Sequence, residues 1–173
     1  GYKDEFGWEI CTLDRLAKKL REKRFKNGAV KFDSEALHFT VDEKGHPTGC
    51  FFKRSKDANK LIEEFMLLAN RTVAESVGKV KKGKTAKTLP YRVHDNPDPT
   101  KLETLREFVV KFGYKMKTDG TKGALAKSLN TLMSACEGKR EQNLIQTVAL
   151  RAMMKAKYSI HNIGHFGLAF DYY

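Results

Sequence analysis

Apolar residues recur at helical spacing in five stretches of this chain and alternate at strand spacing in one. Leu13, Leu16, Ala17 and Leu20 predict a first helix, with Thr12 as its N-cap and Asn27-Gly28 as its stop. A second and stronger helix runs from a cap at Ser55 to about Val77. Its broad stripe of Leu61, Ile62, Phe65, Met66, Leu68, Ala69 and Val73 predicts burial. In DNPDP, Asp98 caps a third helix whose first position is Pro99, where a missing N–H costs nothing. Leu102, Leu105, Val109 and Phe112 give it a core face, and Gly113 ends it. Two more helices fit at about 121–137 and 139–157. Between the first two, Ala29-Val30-Lys31-Phe32 is short and extended. Leu37, Phe39 and Val41 then alternate with polar residues, and a turn at Asp42-Glu43-Lys44-Gly45 leads into a return strand from Thr48 to Lys53. Short strands are expected near 91–93 and 165–170. The fold class is therefore α+β and helix-dominated, one domain over 1–173 with a hairpin near its start.

Charge narrows the choice of partner. Thirty-three Lys and Arg against 21 Asp and Glu give a formal net charge of +12, a positive field that concentrates polyanions. Five lysines crowd the aperiodic stretch KVKKGKTAKT at 79–88, which reads as a phosphate-seeking loop. No apolar run approaches the roughly 20 residues of a membrane span, and the opening GYKDEFGWEI has no signal-peptide pattern. Cys11, Cys50 and Cys136 are odd in number and far apart, which suits free thiols in a reducing cytoplasm. A cytoplasmic location with no membrane partner is expected.

Residues that could carry chemistry offer no catalytic signature. The chain has no phosphate-binding glycine loop, no nucleophile elbow and no paired C-x-x-C. Glu63 and Glu64 are adjacent on a helix and point about 100° apart, a poor arrangement for chelating one ion. Asp95 and Asp98 sit among prolines as turn and cap residues. His161 and His165 stand four apart, but Asn162-Ile163-Gly164 breaks any helix between them. They read as neutral hydrogen-bonded histidines, or as one touching RNA, before they read as metal ligands. Aromatics make up 10% of a basic chain, the combination on which single-stranded nucleic acid stacks. Phe32 is open to two readings, a core residue or such a platform, and pattern alone favours the core.

Four stretches carry a resemblance that these readings do not. LAKKLREKRFKNGAVKFD (16–33), KDANKLIEEFMLLAN (56–70), YRVHDNPDPTKLETL (91–105) and QTVALRAMMKAKYSIHNIGHFGLAFDYY (146–173) resemble, in order and spacing, the RNB catalytic domain of the ribonuclease R/ribonuclease II family. Ala152 stands where serine is usual, and the helical insert at 114–145 resembles the ribonuclease R branch. The resemblance implies an α/β domain around a channel for single-stranded RNA. It also implies processive, Mg²⁺-dependent hydrolysis of single-stranded or structured RNA from the 3′ end to nucleoside 5′-monophosphates. It makes Phe32 the phenylalanine that clamps terminal bases, which reverses the reading from pattern. Glu63 becomes a carboxylate near the RNA, and Asn70, His165, Phe166, Gly167 and Tyr173 become residues of the channel lining.

The family's acidic metal-binding pattern, D-x-x-x-A-x-D-x-D-D-A, is absent from the 173 residues, as is its T-S-P-I-R-R-Y segment. They are expected before residue 1 and after Tyr173. So no catalytic or metal-binding residue is assigned here, no Mg²⁺ is expected on this chain, and the chain alone is expected to be inactive. The alternative is a basic module that binds single-stranded RNA without cutting it. A part of a domain also exposes surface that its missing parts cover, so self-association or an apolar patch near the C-terminal strand is expected.

Overall fold

The structure is a computed structural model that describes residues 5–32, 36–80, 83, 85 and 87–173. Lys81, Lys82 and Lys84 of the lysine-rich stretch lie outside the described residues. In chain order the elements are α1 (Gly7–Lys26), β1 (Ala36–Val41), β2 (Pro47–Lys53), α2 (Asp57–Gly78), β3 (Tyr91–Val93), α3 (Pro99–Val110), α4 (Lys122–Cys136), α5 (Gln142–Ala152) and β4 (Lys157–Ser159). A 3-10 turn follows at Phe166–Leu168. The expected mixture of helices and small antiparallel sheets is present, and its details differ in instructive ways.

The core is built by the helices of the C-terminal half. Leu102, Leu105 and Val109 of α3 meet Leu125, Leu129, Leu132, Met133 and Cys136 of α4 and Ile145, Ala149 and Ala152 of α5. Each fully buried leucine or isoleucine here contributes about 1.5–3 kcal/mol. Asp98 caps α3 as its sequence requires, its Oδ1 accepting from the Thr100 N–H at 2.9 Å with Pro99 at the first position. Phe112, expected in this core, is exposed and instead packs at a tilt against Phe108, with ring centroids 5.2 Å apart. Helix α5 stops at Ala152, earlier than 157, because Lys157–Ser159 leaves the helix to pair antiparallel with β3.

Helices α1 and α2 pack against one another with an unexpected seam. Helix α1 begins at Gly7, not after Thr12, since nothing in GWEIC breaks a helix and Glu9 favours its first turn. Its Leu13 and Leu16 are exposed, and so is most of the predicted α2 stripe, with Ile62 at 68%. The buried α2 positions are Glu64, Leu67 and Ala74. Glu64 lies between apolar neighbours on the helix, and it is buried because Arg24 of α1 neutralises it.

The hairpin β1–β2 forms with Leu37 opposite Phe52 and Phe39 opposite Cys50. Its alternation does not find a core. Leu37, Phe39, Val41 and Phe52 share one face, and that face is exposed. The extended stretch expected at 165–170 is also replaced. His165 makes isolated bridges to His94 and to Phe170, and the residues between turn as a 3-10 helix with Ala169 left-handed at φ 53°.

Candidate nucleic-acid interface

Residues 29–32 are the strut on which the site is hung. After α1, Gly28 turns the chain at φ 100°, a conformation open to glycine. The segment then pairs with three parts of the fold. The Ala29 N–H donates to the Arg24 carbonyl at 3.1 Å, and the Val30 N–H to the Gly167 carbonyl at 2.9 Å. Asn130 of α4 takes the remaining groups: its Oδ1 accepts from the Lys31 N–H and its Nδ2 donates to the Ala29 carbonyl, both at 2.8 Å. With Ala29 and Val30 buried, the next residue outward, Phe32, is half-buried against the α3–α5 core with part of its ring free.

Phe32 opens onto a cleft of about 670 Å³ whose walls come from separate elements. Arg21, Arg24 and Phe25 come from the end of α1, Lys31 from the strut, Arg54, Lys60 and Glu63 from the approach to α2 and its first turns. Glu137, Lys139, Arg140, Gln142 and Asn143 come from the α4–α5 turn. Seven Arg and Lys thus face three carboxylates when Glu64, paired with Arg24 behind the wall, is counted with Glu63 and Glu137. Lys31 Nζ lies 3.8 Å from Glu137, and Lys139 sits over the Tyr114 ring at 4.8 Å, whose hydroxyl donates to Glu141 at 2.6 Å. An aromatic edge within a mainly cationic trough is a surface for a polyanion with stackable bases.

The second group of predicted residues gathers elsewhere. Asn70 Nδ2 donates to the Tyr173 hydroxyl at 3.3 Å, His165 meets the Tyr173 ring edge-on at 5.5 Å, and Phe170 lies 5.8 Å from Tyr173 beneath Arg71 at 5.0 Å. The structure therefore joins Phe32 with Glu63, and Asn70 with His165 and Tyr173, as two clusters. Phe166 and Gly167, the other two residues of the expected channel lining, are placed by the structure in tight packing. The Phe166 ring is buried in the α3–α5 core, and a Cβ at Gly167 would stand 3.0 Å from His94 Nδ1. Both positions are occupied by packing. Gly78 is a third close approach, where a Cβ would overlap the buried Tyr91 hydroxyl and lie 3.0 Å from Tyr172.

His94 and His165 hold this end together. Their rings meet edge-on at 4.9 Å, and each Nδ1 accepts a backbone N–H, from Gly167 at 3.1 Å and from Leu168 at 3.2 Å. The ring protons therefore sit on Nε2. His94 Nε2 is buried and has no hydrogen-bond partner among the described residues; the Met154 carbonyl raises its basicity without meeting hydrogen-bond geometry. Burial pushes the His94 imidazole below its usual value. Burial, and then the neighbouring His94, push His165 down to about 4. Both rings are neutral at pH 7.

The cations at 139 and 140 were not legible as site residues, because nothing local in EGKRE says that the α4–α5 turn lies across from Phe32. Asn130 was equally silent. Of the Arg and Lys on α1, Arg21 and Arg24 reach the cleft.

Comparisons with known proteins bear on the family and the fold. The RNB domain model matches residues 4–173. Ribonuclease R of Aquifex aeolicus (strain VF5) is 37% identical over 167 residues, covering 95% of this chain and 22% of that protein. The structure of Mycoplasma genitalium RNase R in complex with ribose methylated single-stranded RNA superposes with a TM-score of 0.80 at 24% identity, over 95% of this chain and 25% of that one. Yeast Ssd1, described as a pseudonuclease, shares the fold at a TM-score of 0.64 and 16% identity, over 99% of this chain and 21% of that one. The chain spans about a fifth of the length of the curated relatives it matches. With a family model covering nearly every residue and the strut, helices and histidine turn in the expected order, this chain belongs to the RNB domain family.

Proposed function

We propose that this chain is the RNA-holding part of an exoribonuclease of the ribonuclease R type, and that its cleft seats single-stranded RNA with a base stacked on Phe32. The observation that carries this reading is the partly exposed Phe32 beside seven Arg and Lys side chains drawn from four separate stretches. Glu63, 43% exposed and 3.4 Å from Arg24, is in place to accept hydrogen bonds from ribose hydroxyls or base edges. The Asn70, His165 and Tyr173 cluster is assigned to the continuing path of the strand. Fluorescence anisotropy with a labelled single-stranded oligoribonucleotide tests the reading. Loss of one stacked base costs about 1–3 kcal/mol, so Phe32→Ala is expected to weaken binding roughly tenfold. Equal affinity for the variant overturns it.

A magnesium ion is implied by the family, and the described residues do not fit one. No three of His, Cys, Asp and Glu converge among them, and the cleft carboxylates face cations: Glu63 and Glu64 share Arg24, and Glu137 faces Lys31. No step of hydrolysis is derived from this chain. Incubated with single-stranded RNA and Mg²⁺, it is expected to leave the RNA intact, and processive 3′ trimming by the pure chain contradicts that. Processive release of nucleoside monophosphates, and a cytoplasmic location, belong to the longer protein we propose around it. The fold of a pseudonuclease favours a second reading, a module that binds RNA without cutting it in any context. The two part on whether the gene's reading frame continues into the acidic pattern.

Self-association is part of the proposal. Phe39 and Phe52 are 62% and 64% exposed on one hairpin face, and Tyr158, Ile160 and Ile163 are exposed near β4. Light scattering is expected to show species larger than the monomer, reduced by Phe39→Ser with Phe52→Ser. A clean monomer at all concentrations counts against it.

A further inference from the structure

Arg24 lines the cleft among cations that a polyanion would meet, and its burial and its engagement with two carboxylates set it apart from them. Its side chain is only 7% exposed, against a Glu64 partner at 3%. Its Nε and Nη2 are already engaged: Nε donates to Glu64 Oε2 at 3.2 Å, Nη2 donates to Glu64 Oε1, and Nη2 also reaches Glu63 Oε1 at 3.4 Å. The guanidinium lies against the Phe25 ring at 4.8 Å. Its backbone has a different task, accepting from the Ala29 N–H at the turn that delivers Phe32. Its side chain therefore joins the end of α1, whose carbonyl receives the strut carrying Phe32, to the helix carrying Glu63.

We infer that Arg24 is a positioning residue, fixing Phe32 and Glu63 across the cleft and masking two carboxylates, and does not bind phosphate. The inference rests on the proposed reading of the cleft. The local charge explains why a cation must stand there. Arg24 with Glu63 and Glu64 sums to one negative charge; without Arg24 the wall of a polyanion site carries two, one of them buried and unpaired. Removing one member of a buried pair is costly, whereas replacing both with apolar groups of similar volume is often neutral. The double change Arg24→Met with Glu64→Leu also leaves the wall at one negative charge, as in the parent.

The test measures affinity of the full chain for a labelled single-stranded oligoribonucleotide against salt, with amide hydrogen exchange alongside. Arg24→Met is expected to weaken binding by about tenfold, to lower the log–log salt slope by about 0.7 because Glu64 is left uncompensated, and to speed exchange at residues 29–32. The double variant, still without the guanidinium, is expected to recover affinity to within about threefold, to regain the parent slope and to restore protection. Lys60→Met, which removes an ordinary cleft cation, is expected to lower the slope by about 0.7. A slope lowered by the same amount in Arg24→Met, with no recovery in the double variant, overturns the inference in favour of a phosphate contact. Should Arg24→Met not fold, the double variant decides alone: parent-like affinity and slope support positioning, and a lowered slope refutes it. Should the parent chain bind no RNA, the reading of the cleft fails, and exchange still decides the positioning role. Unchanged protection at 29–32 in the variant then overturns it.

Discussion

Raising the salt concentration from 50 to 200 mM is expected to weaken binding of single-stranded RNA to this chain by about fiftyfold. Among the described residues of the cleft wall, the seven cations with Glu63, Glu64 and Glu137 carry a formal charge of about four. That formal charge sets the number of counterions expected to be displaced. Single-stranded nucleic acid gives a log–log slope of about −0.7 per phosphate neutralised, which for four is close to −3. Stacking adds affinity without salt dependence, so Phe32→Ala lowers the whole line and leaves its slope unchanged. The two contributions are thus separable in a single titration series followed by anisotropy. A nearly flat salt dependence means that RNA, if bound, is not bound in this trough.

Acidification from pH 7 to about pH 4 is expected to remove roughly 3 kcal/mol of stability through His165, with a further loss through His94. The folded state lowers His165 from 6.5 to about 4. A tenfold difference in proton affinity between folded and unfolded chain is worth about 1.4 kcal/mol, trimmed a little here because solvent reaches part of the ring. A histidine whose folded value is depressed stabilises the fold fully above the unfolded value near 6.5. That contribution falls as the pH drops through 6.5 toward 4 and is constant below. The structural reason is direct. A protonated Nδ1 on His94 or His165 cannot accept from Gly167 or Leu168, and two imidazolium rings would stand 4.9 Å apart. The turn that seats Phe166 in the core then loosens. Glu75, Glu103 and Glu141, whose carboxyls are held below their usual 4.5 by Arg71, Arg106 and the Tyr114 hydroxyl, lose their contributions only at lower pH. The interval from 6.5 to 4.5 therefore belongs to the histidines. Urea unfolding across that interval should show a falling midpoint, largely abolished by His165→Gln; a midpoint independent of pH contradicts the account. A loss of this size is a large share of the 5–15 kcal/mol that stabilises an ordinary domain.

Local chemistry was legible where it was self-contained. Asp98-Pro99 announced its helix, and the leucines of α3, α4 and α5 announced their core, because periodicity and burial coincide there. The α2 stripe misled for a physical reason. Hydrophobic spacing says which face could be buried, while the Arg24–Glu64 pair decided which face met α1. The hairpin alternation was correct as strand geometry and silent about whether anything covers its apolar face. Phe32 shows the limit most sharply. As one apolar residue after a glycine it reads as core, and part of it is core. What makes it a candidate site is the company of Lys60, Lys139 and Arg140, which lie 28, 107 and 108 positions away along the chain and are assembled only by the fold.

Hydrogen-exchange footprinting with saturating single-stranded RNA tests the central claim most directly. The account predicts new protection at residues 21–32, 54–63 and 137–143, the stretches that wall the Phe32 cleft. Protection confined to the hairpin at 36–53 or to the outer face of α3, with those stretches unchanged, would contradict it.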